Sequence, residues 1–184
     1  MPRPGESHEP LAQLMHYIIW KCHDPTRLGA TKLNKVLFYA DSLAYVELGK
    51  PITGVPYIKR PFGPVPDPKT FLNARDTLRQ AGKIAITQDL YYGKPQTQFV
   101  ALERPDMAGF TPEEMSLVDG VIEAICANYT ASAISALSHD RVWEAAEIGE
   151  EIPLATVFAA RVGELTEADM QWAQAEARRL GLGQ

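Results

Sequence analysis

The stretch YIKRPFGPVPDPKTF, residues 57–71, constrains the fold more than any other part of the chain. Pro61, Pro64, Pro66 and Pro68 fall within eight positions, directly behind the basic pair Lys59–Arg60, and Pro56 lies just ahead. Each proline fixes φ at about −65° and removes a backbone donor, so none suits a helix interior or the middle of a sheet. Residues 55–60 are therefore expected as an extended edge strand, followed by the prolines as a rigid connector. Asp67 before Pro68 is a cap and first-turn signal, which predicts a helix over 68–81.

Helical periodicity governs the chain on either side. Leu11, Leu14, Met15, Ile18 and Ile19 recur at helical spacing and predict an amphipathic helix over 10–21. Thr31 is the expected cap of a second helix with Leu33, Val36, Leu37, Ala40, Leu43 and Ala44 on its apolar stripe, ending at Gly49 before Pro51. KIAITQDL and TQFVAL, joined by YYGKPQ, read as a β-hairpin near 83–102. Thr111-Pro112-Glu113-Glu114 is a capping box ahead of a stripe of Met115, Val118, Ile122 and Ile125. Short helices are expected near 130–137 and 141–147, and a last one from Thr166 to about Leu180. The fold class is α+β: one mostly helical domain with a small antiparallel sheet, in an order resembling a winged helix.

Composition narrows the classes of function. The chain has 184 residues, enough for one domain with a real core, and 46% of them are apolar. No apolar run approaches the roughly 18 residues that span a bilayer, and MPRPGESHEP lacks the apolar core of a signal peptide. A cytoplasmic location without membrane contact is expected. Residues 26–83 hold ten lysines and arginines against four acids, whereas residues 104–184 hold five against fourteen. Such halves either face each other or mark faces for partners of opposite charge. Cys22 and Cys126 are far apart in sequence and show no metal-ligand pattern, so both are expected to be reduced and buried.

Chemistry-bearing patterns are weak. His16, Cys22 and His23 lack zincin spacing and an obvious fourth ligand. Ser138-His139-Asp140 places three triad residue types in a row, but adjacent side chains cannot relay a proton in that order. Helix capping by Ser138 or Asp140 and a packed His139 beside Trp143 is the expected role. No catalytic, cofactor or metal residue is assigned, and the protein is not expected to be an enzyme. DNA binding is the rival reading. Lys32 and Lys35 share a helix face, Lys94 would lie in the wing, and Lys69, Arg75 and Arg79 line the helix before the hairpin.

Residues 32–66, KLNKVLFYADSLAYVELGKPITGVPYIKRPFGPVP, resemble the signature of the Panacea domain, the SocA-like antitoxin family. Lys32, Leu33, Lys35, Phe38, Tyr39, Ala40 and Asp41 match its K-L-x-K-x-x-F-Y-A-D helix. Gly49, Ile52, Thr53 and Gly54 match its turn, and Phe62, Gly63, Pro64 and Val65 its Y/F-G-P-V end. Ser138, His139 and Trp143 match a second block about 70 residues on. The resemblance implies an antitoxin that neutralises a cognate toxin protein by direct contact, in one branch as an adaptor to a AAA+ protease. It divides the chain into a flexible N-terminus over 1–9, the domain over 10–162 and a C-terminal helix extension over 163–184.

Leu33, Phe38, Tyr39, Asp41, Gly63, Pro64, His139 and Trp143 are expected to be structural. Lys32, Lys35, Tyr57, Lys59, Arg60 and Phe62 are the candidate toxin contacts, because rigid support lowers the ordering cost of docking. Strand alternation puts Tyr57 and Lys59 on one side and Ile58 and Arg60 on the other. The expectation is that Ile58 packs inward and that Tyr57 and Lys59 meet the partner.

Overall fold

The computed structural model describes residues 9–158. Helix α1 spans Glu9–Cys22 and α2 spans Pro25–Leu48. Strands β1 (Tyr57–Arg60) and β2 (Gly63–Pro66) lead into α3 (Pro68–Gln80). Strands β3 (Ile84–Tyr91) and β4 (Lys94–Ala101) form the predicted hairpin. Helices α4 (Pro112–Asn128), α5 (Ala131–Leu137) and α6 (Arg141–Ala145) follow, then a 3-10 turn at Leu154–Thr156. The helix expected after Thr166 lies outside the described residues.

Helix α2 is the axis of the domain. It packs on α1, α4, α5, β2 and β4. Leu33, Val36, Leu37 and Ala40 of α2 are fully buried with Leu11, Leu14, Met15 and Ile18 of α1 and Val118 of α4. Phe99, Ile84, Ile125 and Ile134 complete one continuous core. Each such side chain contributes about 1.5–3 kcal/mol by leaving water, which ties the helices and the β3–β4 hairpin into a single α+β domain. Helix ends follow local chemistry. Asp67 accepts from Thr70 N, and Thr111 and Glu114 form a complete capping box. The start of α2 differs from expectation. Asp24, not Thr31, is the cap, and the backbone breaks from helical geometry at Gly29, where φ is +57°. A Cβ there would meet only the movable Gln96 amide, so it is the positive φ that calls for glycine.

The small sheet is divided in two. Strand β1 does not join the β3–β4 hairpin; it pairs with β2 in the register Tyr57↔Pro66, Ile58↔Val65, Lys59↔Pro64 and Arg60↔Gly63. The proline connector is thus itself a strand, for a reason set by antiparallel geometry. Tyr57 and Lys59 direct their backbone groups to the other side, where Lys59 N donates to Glu150 O and Tyr57 O accepts from Ile152 N. Their partners Pro66 and Pro64 occupy non-hydrogen-bonded pairs, where no N–H is required of them. Among the described residues no helix is long and apolar enough to cross a membrane.

Candidate functional site

Three polar contacts organise the motif, two built from α2 outward and one from β1. The first is Asp41, fully buried on α2. Its carboxylate accepts from Ile52 N and Thr53 N, each at 2.8 Å, from Tyr57 Oη at 2.8 Å, and from Thr53 Oγ1. One side chain therefore fixes the turn after α2 and the first residue of β1. Burial pushes the Asp41 carboxyl up, while its donors from Thr53, Tyr57 and Ile52 pull it back. The Tyr57 ring meets Phe38 edge-on, with centroids 5.2 Å apart, and Phe38 meets Tyr39 in the same way.

The second contact is Lys35, one helical turn and a half before Asp41 and only 1% exposed. Its ammonium donates to Pro64 O at 3.0 Å. Burial lowers its pKa to about 7. Gly63 lies directly against it. The φ there is +95°, and a Cβ would overlap both Ser138 Oγ and Lys35 Nζ. Ser138 donates to Ser135 O at 2.7 Å, and Ser135 donates to Phe62 O at 2.8 Å.

The third contact is Lys59. Its ammonium lies 4.1 Å from the Trp143 ring centroid and donates to Ala146 O at 2.9 Å, just past the C-terminus of α6. A cation there meets the exposed carbonyls and negative end of the helix. Trp143 stacks on His139, with centroids 3.7 Å apart and planes 8° from parallel, and its Nε1 donates to Arg60 O at 3.2 Å. Asp140 caps α6 by accepting from Trp143 N. Burial, then the charges of Lys35 and Lys59, lower the pKa of His139, so the stacked ring is held toward its neutral form.

These contacts overturn the expected face of β1. Tyr57 and Lys59 are buried, Ile58 is intermediate and Arg60 is exposed. The alternation holds, but its direction is reversed, because Phe38 and Asp41 of α2 enclose Tyr57 while Trp143 of α6 and Ala146 enclose Lys59. Lys32 and Lys35 are also interior, although an outward face of α2 was expected for both. Of the six candidate contacts only Arg60 and Phe62 are exposed, Phe62 at 69%. The turn they share is held by Trp143, Ser135 and Lys35. Ser135 carries no recognisable signal in sequence, since its partner lies 73 positions away.

For the DNA reading, burial also removes Lys32 and Lys35 from phosphate contact. Arg75 and Arg79 share Asp76, while Lys69 and Lys94 remain exposed. His16 bonds Glu103 O, and among the described residues no group of three or more His, Cys, Asp or Glu could hold a metal ion. Leu33 is core, and Phe38 and Tyr39 are partly buried against it.

The model of the family described as antitoxin SocA-like, Panacea domain, matches residues 33–144, well over half of the chain. No curated protein and no solved structure matches it. The match begins within the α2 motif and ends just past Trp143, so it takes in the Asp41 and Lys35 contacts, the Lys59–Trp143 pair and the turn they support, and stops short of the Ala146 carbonyl that Lys59 also reaches. The chain belongs to the SocA-like antitoxin family and carries its Panacea domain.

Proposed function

We propose that the protein is the antitoxin of a toxin–antitoxin pair, and that it neutralises a toxin protein by direct contact through the Arg60–Phe62 turn. The observation that carries this reading is a large exposed aromatic, Phe62, beside an exposed arginine on a backbone tied down from three sides. Binding energy concentrates in such aromatic and arginine anchors, and a rigid support lowers the ordering cost. Family membership points to a non-catalytic role, which agrees with an interaction surface in place of a reaction centre.

The test is co-expression with the toxin encoded by the neighbouring reading frame, comparing wild type with Arg60→Glu plus Phe62→Ala. Loss of a central anchor costs at least about 2 kcal/mol of binding, roughly thirtyfold in affinity. The double variant is expected to keep the wild-type Tm and to stop rescuing growth; full rescue would remove this turn as the toxin contact. Delivery to a AAA+ protease is the second part of the proposal. It predicts that toxin half-life lengthens in cells lacking that protease, while occlusion alone predicts no change.

A further inference from the structure

Cys22 and Cys126 are 104 positions apart in sequence, yet the fold brings them together. Cys22 ends α1 and Cys126 lies in the last turn of α4. The two thiols are near enough to shift each other's ionisation, and both are half-buried and free. Both also line one surface cleft of about 370 Å³, together with Arg27, Asp119 and Glu123. Small polar molecules can therefore reach the pair. Lys32, buried beneath, and Arg27 at the rim add positive charge, while Asp24 adds negative charge on the Cys22 side.

We propose that Cys22 and Cys126 are a modification site: a dithiol that a peroxide converts to an intramolecular disulfide, stapling the end of α1 to the end of α4. The two sulfurs have unequal roles. The neighbouring Cys22 thiol, then the charges of Lys32 and Arg27, hold the Cys126 thiol down against the opposing effect of burial. The neighbouring Cys126, then burial, push the Cys22 thiol up. A thiolate in a partly exposed, electropositive setting is the one that oxidants attack. Cys126 thiolate attacks one peroxide oxygen, the O–O bond breaks, and hydroxide leaves to become water, which gives a sulfenic acid. Cys22 then gives up its proton and attacks that sulfur, the S–OH bond breaks, and the departing hydroxide takes a proton to become a second water. The two thiols lose two electrons, the peroxide gains them, and a reducing dithiol reverses the product.

The experiment uses the full chain, reduced and freed of reductant, treated with hydrogen peroxide. The expected product is a monomer with a Cys22–Cys126 cross-linked peptide, a mass loss of about 2 Da and complete reversal by dithiothreitol. In Cys22→Ser, Cys126 is expected to accumulate as a dimedone-trappable sulfenic acid. In Cys126→Ser, thiol loss at Cys22 is expected to slow by about tenfold or more. Circular dichroism checks that both variants fold, and the wild-type arm decides by itself if they do not. Peroxide-driven sulfinic acid at Cys126 with Cys22 still free, disulfides only between molecules, or equal oxidation rates in the two single variants would overturn the proposal.

Discussion

Replacing Lys35 with methionine removes an interior charge while keeping most of the side chain's length. The structure sets the size of the effect. Lys35 is 1% exposed, its one described hydrogen bond goes to Pro64 O, and burial lowers its pKa from 10.5 to about 7. Below pH 7 the folded and unfolded chains both hold the proton, so the cost of the buried charge is fully present. Between about 7 and 10.5 the unfolded chain keeps the proton and the folded chain has released it, so stability rises with pH across that window. At about 1.4 kcal/mol per pKa unit the ceiling is roughly 5 kcal/mol. Between pH 6.5 and 9.5 this one group gives a gain of about 3 kcal/mol. The assay is urea unfolding of wild type and Lys35→Met at both pH values. Thiols and tyrosines titrate in both proteins and cancel in the difference, and the orphaned Pro64 carbonyl adds an offset independent of pH. Wild type is expected to gain about 3 kcal/mol over the variant from the lower pH to the higher. Parallel stability curves for the two proteins would refute the reasoning and mean that Lys35 keeps its charge inside.

Three further substitutions probe the same framework. Gly63→Ala places a methyl group on Ser138 Oγ and Lys35 Nζ at positive φ, and is expected to cost about 2–4 kcal/mol in thermal melts; an unchanged Tm would contradict the packing. Asp41→Ala orphans the Ile52, Thr53 and Tyr57 donors and is expected to cost about 3 kcal/mol or more by denaturant titration, with Asp41→Asn milder. Trp143→Ala removes the face that Lys59 rests on and the donor to Arg60 O. It is expected to cost about 2–3 kcal/mol, less than a fully buried tryptophan, and to speed amide exchange of Arg60 and Gly63. Unchanged exchange there would mean that Trp143 does not hold the turn.

The elements most legible in sequence are those whose signals are local. The capping box of α4 and the Asp67–Pro68 start of α3 need only residues three positions apart, and both form as their spacing dictates. The pairing of β1 with β2 was hidden because a proline-rich run looks like a connector until its register is known. Alternation correctly grouped Tyr57 with Lys59, but it carries no information on which side is covered. That depends on how α2 packs on Tyr57 and on α6, which lies more than 80 positions from Lys59. Burial of Lys59 was illegible for the same reason, since its acceptor at Ala146 and its ring at Trp143 lie in another block of the chain. The Cys22–Cys126 contact is the extreme case, created wholly by the packing of α1 and α4 about α2.

The proline-rich stretch explains why the two motif blocks belong together. Prolines delete N–H groups but leave every carbonyl, so the β1–β2 hairpin carries more acceptors than its own ladder has donors. Side-chain donors from three places reach carbonyls on alternate residues: Trp143 Nε1 to Arg60 O, which also lies in the ladder pair with Gly63, Ser135 Oγ to Phe62 O, and Lys35 Nζ to Pro64 O. Lysine, serine and tryptophan can each donate without needing a strand's geometry, which is what an irregular proline-rich edge requires. The K-x-x-F-Y-A-D helix supplies the Lys35 donor and the anchor at Asp41, while α5 supplies Ser135 and α6 Trp143. Gly63 lets Lys35 and Ser138 close on the backbone at the centre of this arrangement. Rigid backbone is thereby combined with free side chains: the carbonyls of Arg60 and Phe62 are held, and their side chains project into solvent. In the proposed toxin contact, a docking partner would meet a surface whose ordering cost was met on folding, so the contact energy of an aromatic and an arginine would go into affinity and not into immobilising a loop.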